Sequence, residues 1–136
     1  AVQLSDEDLD YGLSLADCLF EAGYPERSSR EYARLSAMYP EDSTLWCSWA
    51  TMLHEARDLK AAMKVINAAL QQLPDDFRLW YISAAVHYLG GRHVAAMEAL
   101  QYALALNYKE HEEMFKFAPE LRQVGTIHEM IARYAH

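Results

Sequence analysis

Residues 43–56, STLWCSWATMLHEA, and residues 77–90, FRLWYISAAVHYLG, decide how this chain folds. Each carries a Leu-Trp pair followed four residues after the Trp by Ala, and the two stretches lie 34 positions apart. The same interval joins Met63 to Met97, Ala69 to Ala103 and Leu70 to Leu104. One step back it sets Ala16 under Ala50 and Pro40 under Pro74, and one step forward it sets Ala118 under Ala84. A period of this length marks stacked helical hairpins, none of which can bury its apolar face alone.

Divided by that period, the chain falls into units at 9–42, 43–76 and 77–110, with a degenerate closing unit at 111–136. Each full unit holds two stretches of helical apolar spacing separated by a short polar break. Ser5 and Asp8 predict a capped helix near 6–22, which Gly23 ends. Pro25 suits the first turn of the next helix, near 25–39. Asp42 or Ser43, Asp58, and Asp75 or Asp76 are the expected caps of helices ending near 56, 72 and 89. Gly90–Gly91 turns the chain into a further helix ending near 106. Pro119 should break the fourth unit after Phe117, and Thr126 with Glu129 reads as a capping box for a last helix near 127–135. Short connections make consecutive helices antiparallel neighbours.

Composition narrows the function. The 136 residues are 52% hydrophobic with 5 Gly and 4 Pro, as expected of a folded helical domain. Net charge is −8, which opposes nonspecific binding to nucleic acid or to an anionic membrane, since both need Lys and Arg. The acid is concentrated: residues 1–42 carry ten Asp and Glu against three Arg, whereas residues 77–136 balance six against six. Cys18 and Cys47 lack the spacing of a disulfide framework or a zinc site. They are expected to be free thiols, as in a cytoplasmic protein. No apolar run reaches membrane-spanning length, and no signal-peptide pattern is expected at the start of this sequence. A chain that opens at Ala rather than Met is expected to be cut from a longer protein or to have lost a leader.

The units carry a recognisable pattern. The second reads Trp46-x2-Trp49-Ala50-x2-Leu53, then Ala62-x3-Ile66, then Pro74. The third reads Trp80-x2-Ser83-Ala84-x2-His87, then Ala96-x3-Leu100, and the first reads Gly12-x2-Leu15-Ala16-x2-Leu19, then Ser28-x3-Tyr32, then Pro40. The chain thereby resembles the tetratricopeptide repeat (TPR) family, whose pattern is W-x2-L-G-x2-Y, A-x3-F, P. Unit one departs from it by lacking the Trp, and unit three by placing His87 at an aromatic position. The small residues have a physical reason independent of the family: helix backbones must approach closely at Ala16, Ala50, Ala84 and Ala118, and again at Ala69 and Ala103, where Leu35 is the exception.

The resemblance implies an all-α, right-handed α-α superhelix of about three hairpins plus a capping unit, forming a single domain over 1–136. It also implies that the first helix of each hairpin lines a concave groove that holds partner peptides. Equivalent positions then give candidate lining sets: Asp10, Thr44, Arg78 and Glu112; Leu13, Cys47, Tyr81 and Phe115; Asp17, Thr51, Ala85 and Pro119; Phe20, His54, Tyr88 and Arg122; Glu21, Glu55, Leu89 and Gln123. Lys116 joins Arg78 and Arg122 as cations of the later part. Such a groove is acidic at its start (Asp10, Asp17, Glu21) and aromatic further on. The expected occupant has a basic portion near unit one and an apolar anchor over Tyr81 and Tyr88. The family's clamp for chaperone carboxylate tails is not expected, because its Lys, Asn and Arg positions hold Leu13, Asp17, Ser48, Arg78 and Ile82, of which only Arg78 suits a carboxylate.

Catalytic signals are missing from the sequence. His54, His87, His93, His111, His128 and His136 form no HExxH or paired-ligand spacing, so no metal is expected. His87 is expected to be a hydrogen-bonded packing residue. Nothing resembles GxSxG, a P-loop or GxGxxG. The expectation is a non-catalytic protein- or peptide-binding module without a cofactor. The rival expectations are an assembly segment of a longer solenoid, a self-associating homo-oligomer, and a regulatory part of a larger enzyme.

Overall fold

The computed structural model describes residues 6–135. Among them there are eight α-helices and no strand. The helices are α1 (Asp6–Glu21), α2 (Pro25–Met38), α3 (Ser43–Glu55), α4 (Leu59–Gln72), α5 (Phe77–Leu89), α6 (His93–Asn107), α7 (Glu112–Phe117) and α8 (Gly125–Arg133). Short 3-10 turns at Tyr108–Glu110 and Pro119–Gln123 flank α7.

Local chemistry explains the boundaries. Asp42, Asp58 and Asp76 each accept a hydrogen bond from backbone N–H groups in the first turn of α3, α4 and α5, satisfying donors that a helix start leaves open. Pro25 opens α2, and Gly23 turns the chain out of α1 at φ +92°. Pro119 ends α7 as its missing N–H requires. Ser5, the expected cap of α1, lies outside the described residues. The Thr126–Glu129 box does not form: α8 starts at Gly125 behind Val124, with no side-chain cap. His128 instead donates from Nε2 to the Arg122 carbonyl at 2.6 Å, tying α8 back to the preceding turn.

The hairpins α1–α2, α3–α4 and α5–α6 stack through α2 on α3 and α4 on α5. Ala16, Ala50, Ala84, Ala118, Ala69 and Ala103 are all fully buried at the helix crossings. Trp46 and Trp80 occupy equivalent places, each indole N–H donating to a prolyl carbonyl six residues earlier, Pro40 at 2.8 Å and Pro74 at 2.7 Å. The stack therefore repeats in its polar detail as well as its apolar spacing.

His87 departs from expectation. Its Nδ1 is buried and has no hydrogen-bond partner among the described residues. Burial first, and then the nearby Arg92 charge, hold its pKa below the ordinary 6.5. Unfolded His87 therefore takes up a proton at a higher pH than the folded ring does. Stability from the neutral ring is complete above about pH 6.5 and is lost as pH falls through and below that value. We expect His87→Phe, which puts a non-titrating aromatic ring at that position, to lose less stability than the parent between neutral pH and pH 5. Denaturant melts of both chains across that range would show it, and parallel losses would contradict it.

Candidate functional site

α3 stands beside α5, α7 packs on α5, and α1 contributes Asp17, Phe20 and Glu21 to the same inner wall. A hollow of about 290 Å³ opens on this wall. Phe20, Cys47, Met52, Ile82 and Phe117 give it an apolar floor, and Ser48 and Thr51 add hydroxyls.

Charge is divided between its two ends. Asp17 and Glu21 from α1 and Glu55 from α3 line one end, with no ion pair among the described residues. The Tyr32 hydroxyl donates to Asp17 at 3.1 Å, and burial followed by that carboxylate raises the Tyr32 pKa. At the other end Lys116 Nζ lies 3.3 Å and Arg78 Nε 3.9 Å from the single carboxylate of Glu113. The second distance permits charge attraction but no hydrogen bond, and Arg78 Nε is indeed buried without one. Arg78 Nη1 also reaches Thr44 Oγ1 at 3.4 Å, an equivalent position one unit earlier.

Cys47 is the one thiol on this floor, and burial pushes its pKa up to about 11 against the opposing pull of Arg78. It stays a protonated, weakly nucleophilic thiol near neutral pH. Among the described residues no three His, Cys, Asp or Glu side chains gather closely enough to hold a metal ion.

Seven of the fourteen candidate residues meet in this hollow: Asp17, Phe20, Glu21, Cys47, Thr51, Arg78 and Lys116. His54 lines an adjoining hollow, stacked on Phe117 at 4.7 Å with Nε2 3.8 Å from Glu120. The expected aromatic anchor needs correction. Tyr81 and Ala85 are fully buried where α5 is packed among its neighbours, and the Tyr81 hydroxyl donates to the Asn107 carbonyl at the end of α6 at 2.7 Å. Tyr88 lies outside the hollow, stacked on His93 at 4.2 Å. Arg122 is turned away to pair with Glu112 at 2.6 Å and lie over Phe115. Asp10 and Leu13 stand outside it, the latter packed against the core.

Glu55, an expected lining position, is also there, whereas Tyr32, Ser48, Met52, Ile82, Glu113 and Phe117 line the hollow without having been expected to. Ser48 and Ile82 were detectable, being 34 apart on the first-helix face next to Cys47 and Tyr81. Tyr32 comes from a second helix, which the repeat gave no reason to bring to the inner wall.

No protein-family profile matches the chain, and comparison with curated protein sequences gives no match. Solved structures do resemble it. The type III secretion translocator chaperone SycD of Yersinia enterocolitica superposes with a TM-score of 0.66 at 17% identity, over 95% of this chain and 91% of that one. MamA superposes at 0.62 and 12% identity, over 93% of this chain and 74% of that one. A double mutant of MamA from RS-1 gives 0.61 at 17% identity, over 96% and 75%. At these identities the likeness establishes a TPR-like helical repeat fold.

Proposed function

We propose that the chain is a non-catalytic docking module that holds an extended segment of a partner protein in the inner-wall hollow. The observation that carries this reading is the unneutralised cluster of Asp17, Glu21 and Glu55 beside an open apolar floor. The matching segment has a Lys or Arg over that cluster and, next to it, one large apolar side chain over Phe20, Met52, Ile82 and Phe117. The fold shared with a structure described as a translocator chaperone supports protein binding as the use of such a wall. Among the described residues no helix is long and apolar enough to cross a membrane. Cys18 and Cys47 are both free thiols, which favours a reducing compartment such as the cytoplasm.

The test is affinity capture on the intact protein, repeated with Asp17→Lys plus Glu21→Lys. Binding of the captured partner is expected to weaken about tenfold or more and to lose most of its salt dependence. Tyr88→Ala, outside the hollow, should leave it unchanged. If every partner bound the doubly reversed chain as well as the parent, the proposed groove would be wrong.

A further inference from the structure

A second apolar depression lies between α2 and α4, and it shares no lining residue with the inner hollow. Two hollows of about 520 and 420 Å³ run together there, joined at Ser29, Trp49, Leu53 and Ala61. Trp49 forms the floor, fixed by its indole N–H donating to Ser29 Oγ at 2.9 Å and by stacking on Tyr32 and Trp46. The walls are low because Ala33 and Ser36 on α2 face Ala61 and Ala68 on α4. From Pro25 to Ser36 the α2 wall runs about 17 Å at the helical rise.

The chain also has an exposed ridge, in which Tyr102 packs on Trp80 at 4.7 Å and donates to Asp75 at 3.1 Å. Val94, Tyr102 and Leu106 are 75%, 44% and 38% exposed, and all three stand on α6. With exposed Glu98 they fall on every fourth residue, which makes one ridge about 18 Å long. Charge matches shape. Arg30 and Lys64 line the depression, and Glu98 sits in the middle of the ridge, none of them in an ion pair among the described residues. Glu26 and Asp58 mark the end of the depression where α2 begins, and Arg92 precedes Val94 at the start of α6.

We propose that the α6 ridge of one copy docks in the α2–α4 channel of a second copy. Glu98 then lies between Arg30 and Lys64, and Arg92 meets Glu26 and Asp58. One surface meets a different one, so each added copy presents a fresh ridge and a fresh channel. The assembly grows head to tail and leaves the inner hollow of every copy open.

Sedimentation velocity of the full chain over a concentration series tests this. Mass is expected to climb beyond a dimer as concentration rises. Glu98→Lys places a cation against Arg30 and Lys64, and Arg30→Glu with Lys64→Glu places carboxylates against Glu98. Each variant alone should associate about tenfold or more weakly than the parent, with helical circular dichroism unchanged. Mixing the two variants restores both contacts and should restore growth in alternation. A parent chain that stays monomeric throughout overturns the proposal, since the channel then belongs to another occupant. Association that persists undiminished in both variants overturns it too, as does a mixture that fails to recover.

Discussion

Gly12→Ala is expected to destabilise the protein by about 1–3 kcal/mol, although replacing Gly by Ala inside a helix ordinarily stabilises by up to about 1 kcal/mol. The cause is Leu35. A Cβ built on Gly12 would stand 2.5 Å from one terminal methyl of Leu35 and 2.9 Å from the other. Leu35 is fully buried, so its side chain has no free space into which to rotate. Units two and three solve the same contact the other way round. They place Trp46 and Trp80 where unit one has Gly12, and Ala69 and Ala103 where it has Leu35. Large and small have exchanged places between the two helices. Leu35→Ala alone should therefore cost about 2–5 kcal/mol by leaving a cavity. In that background Gly12→Ala should reverse sign and stabilise. Denaturant unfolding of the four chains measures the coupling, expected at about 2–3 kcal/mol. Additive effects would show that the two residues do not share one space.

That exchange bears on what a repeat can tell. The 34-residue period identified equivalent positions, and the caps at Asp42, Asp58 and Asp76 formed where short polar side chains preceded apolar runs. Equivalence in sequence is not equivalence in exposure. Leu13, Cys47, Tyr81 and Phe115 share one register. Leu13 is partly buried, Cys47 is 7% exposed, Tyr81 fully buried and Phe115 2% exposed. The set follows a seam between neighbouring first helices, and how tightly the seam closes depends on which helix comes next. Tyr81 was expected to face a partner because its register lies on a first helix, yet its hydroxyl is held within its own unit by the Asn107 carbonyl. A further face of α5 is covered by α7, in the unit whose sequence repeats least. The acidic end was more legible, because Asp17 and Glu21 lie one helical turn apart on the first helix and both line the hollow.

The same dependence makes removal of the degenerate unit the severest change we expect. A chain ending after Glu110 loses Met114, Phe115, Phe117 and Leu121, all buried, and with them the cover over α5. It also loses Ile127 and Ile131, the buried residues of α8, which packs on α6. α5 is apolar nearly all round, with Leu79 and the whole run from Tyr81 to Val86 buried, and it cannot present one of those faces to water without penalty. The truncated chain is expected to lose its cooperative thermal transition and to bind a hydrophobic dye. Phe115→Ala is the graded version: it should cost about 3–5 kcal/mol and lower Tm by about 10–20 °C. Thermal circular dichroism on the three chains would distinguish a structural cap from an appendage, since an appendage could be removed with the remaining helices melting as before. A structural cap also ties stability to binding, because α7 contributes Glu113, Lys116 and Phe117 to the inner hollow. The least repetitive part of the sequence thus closes the core of unit three and completes the wall on which a partner would lie.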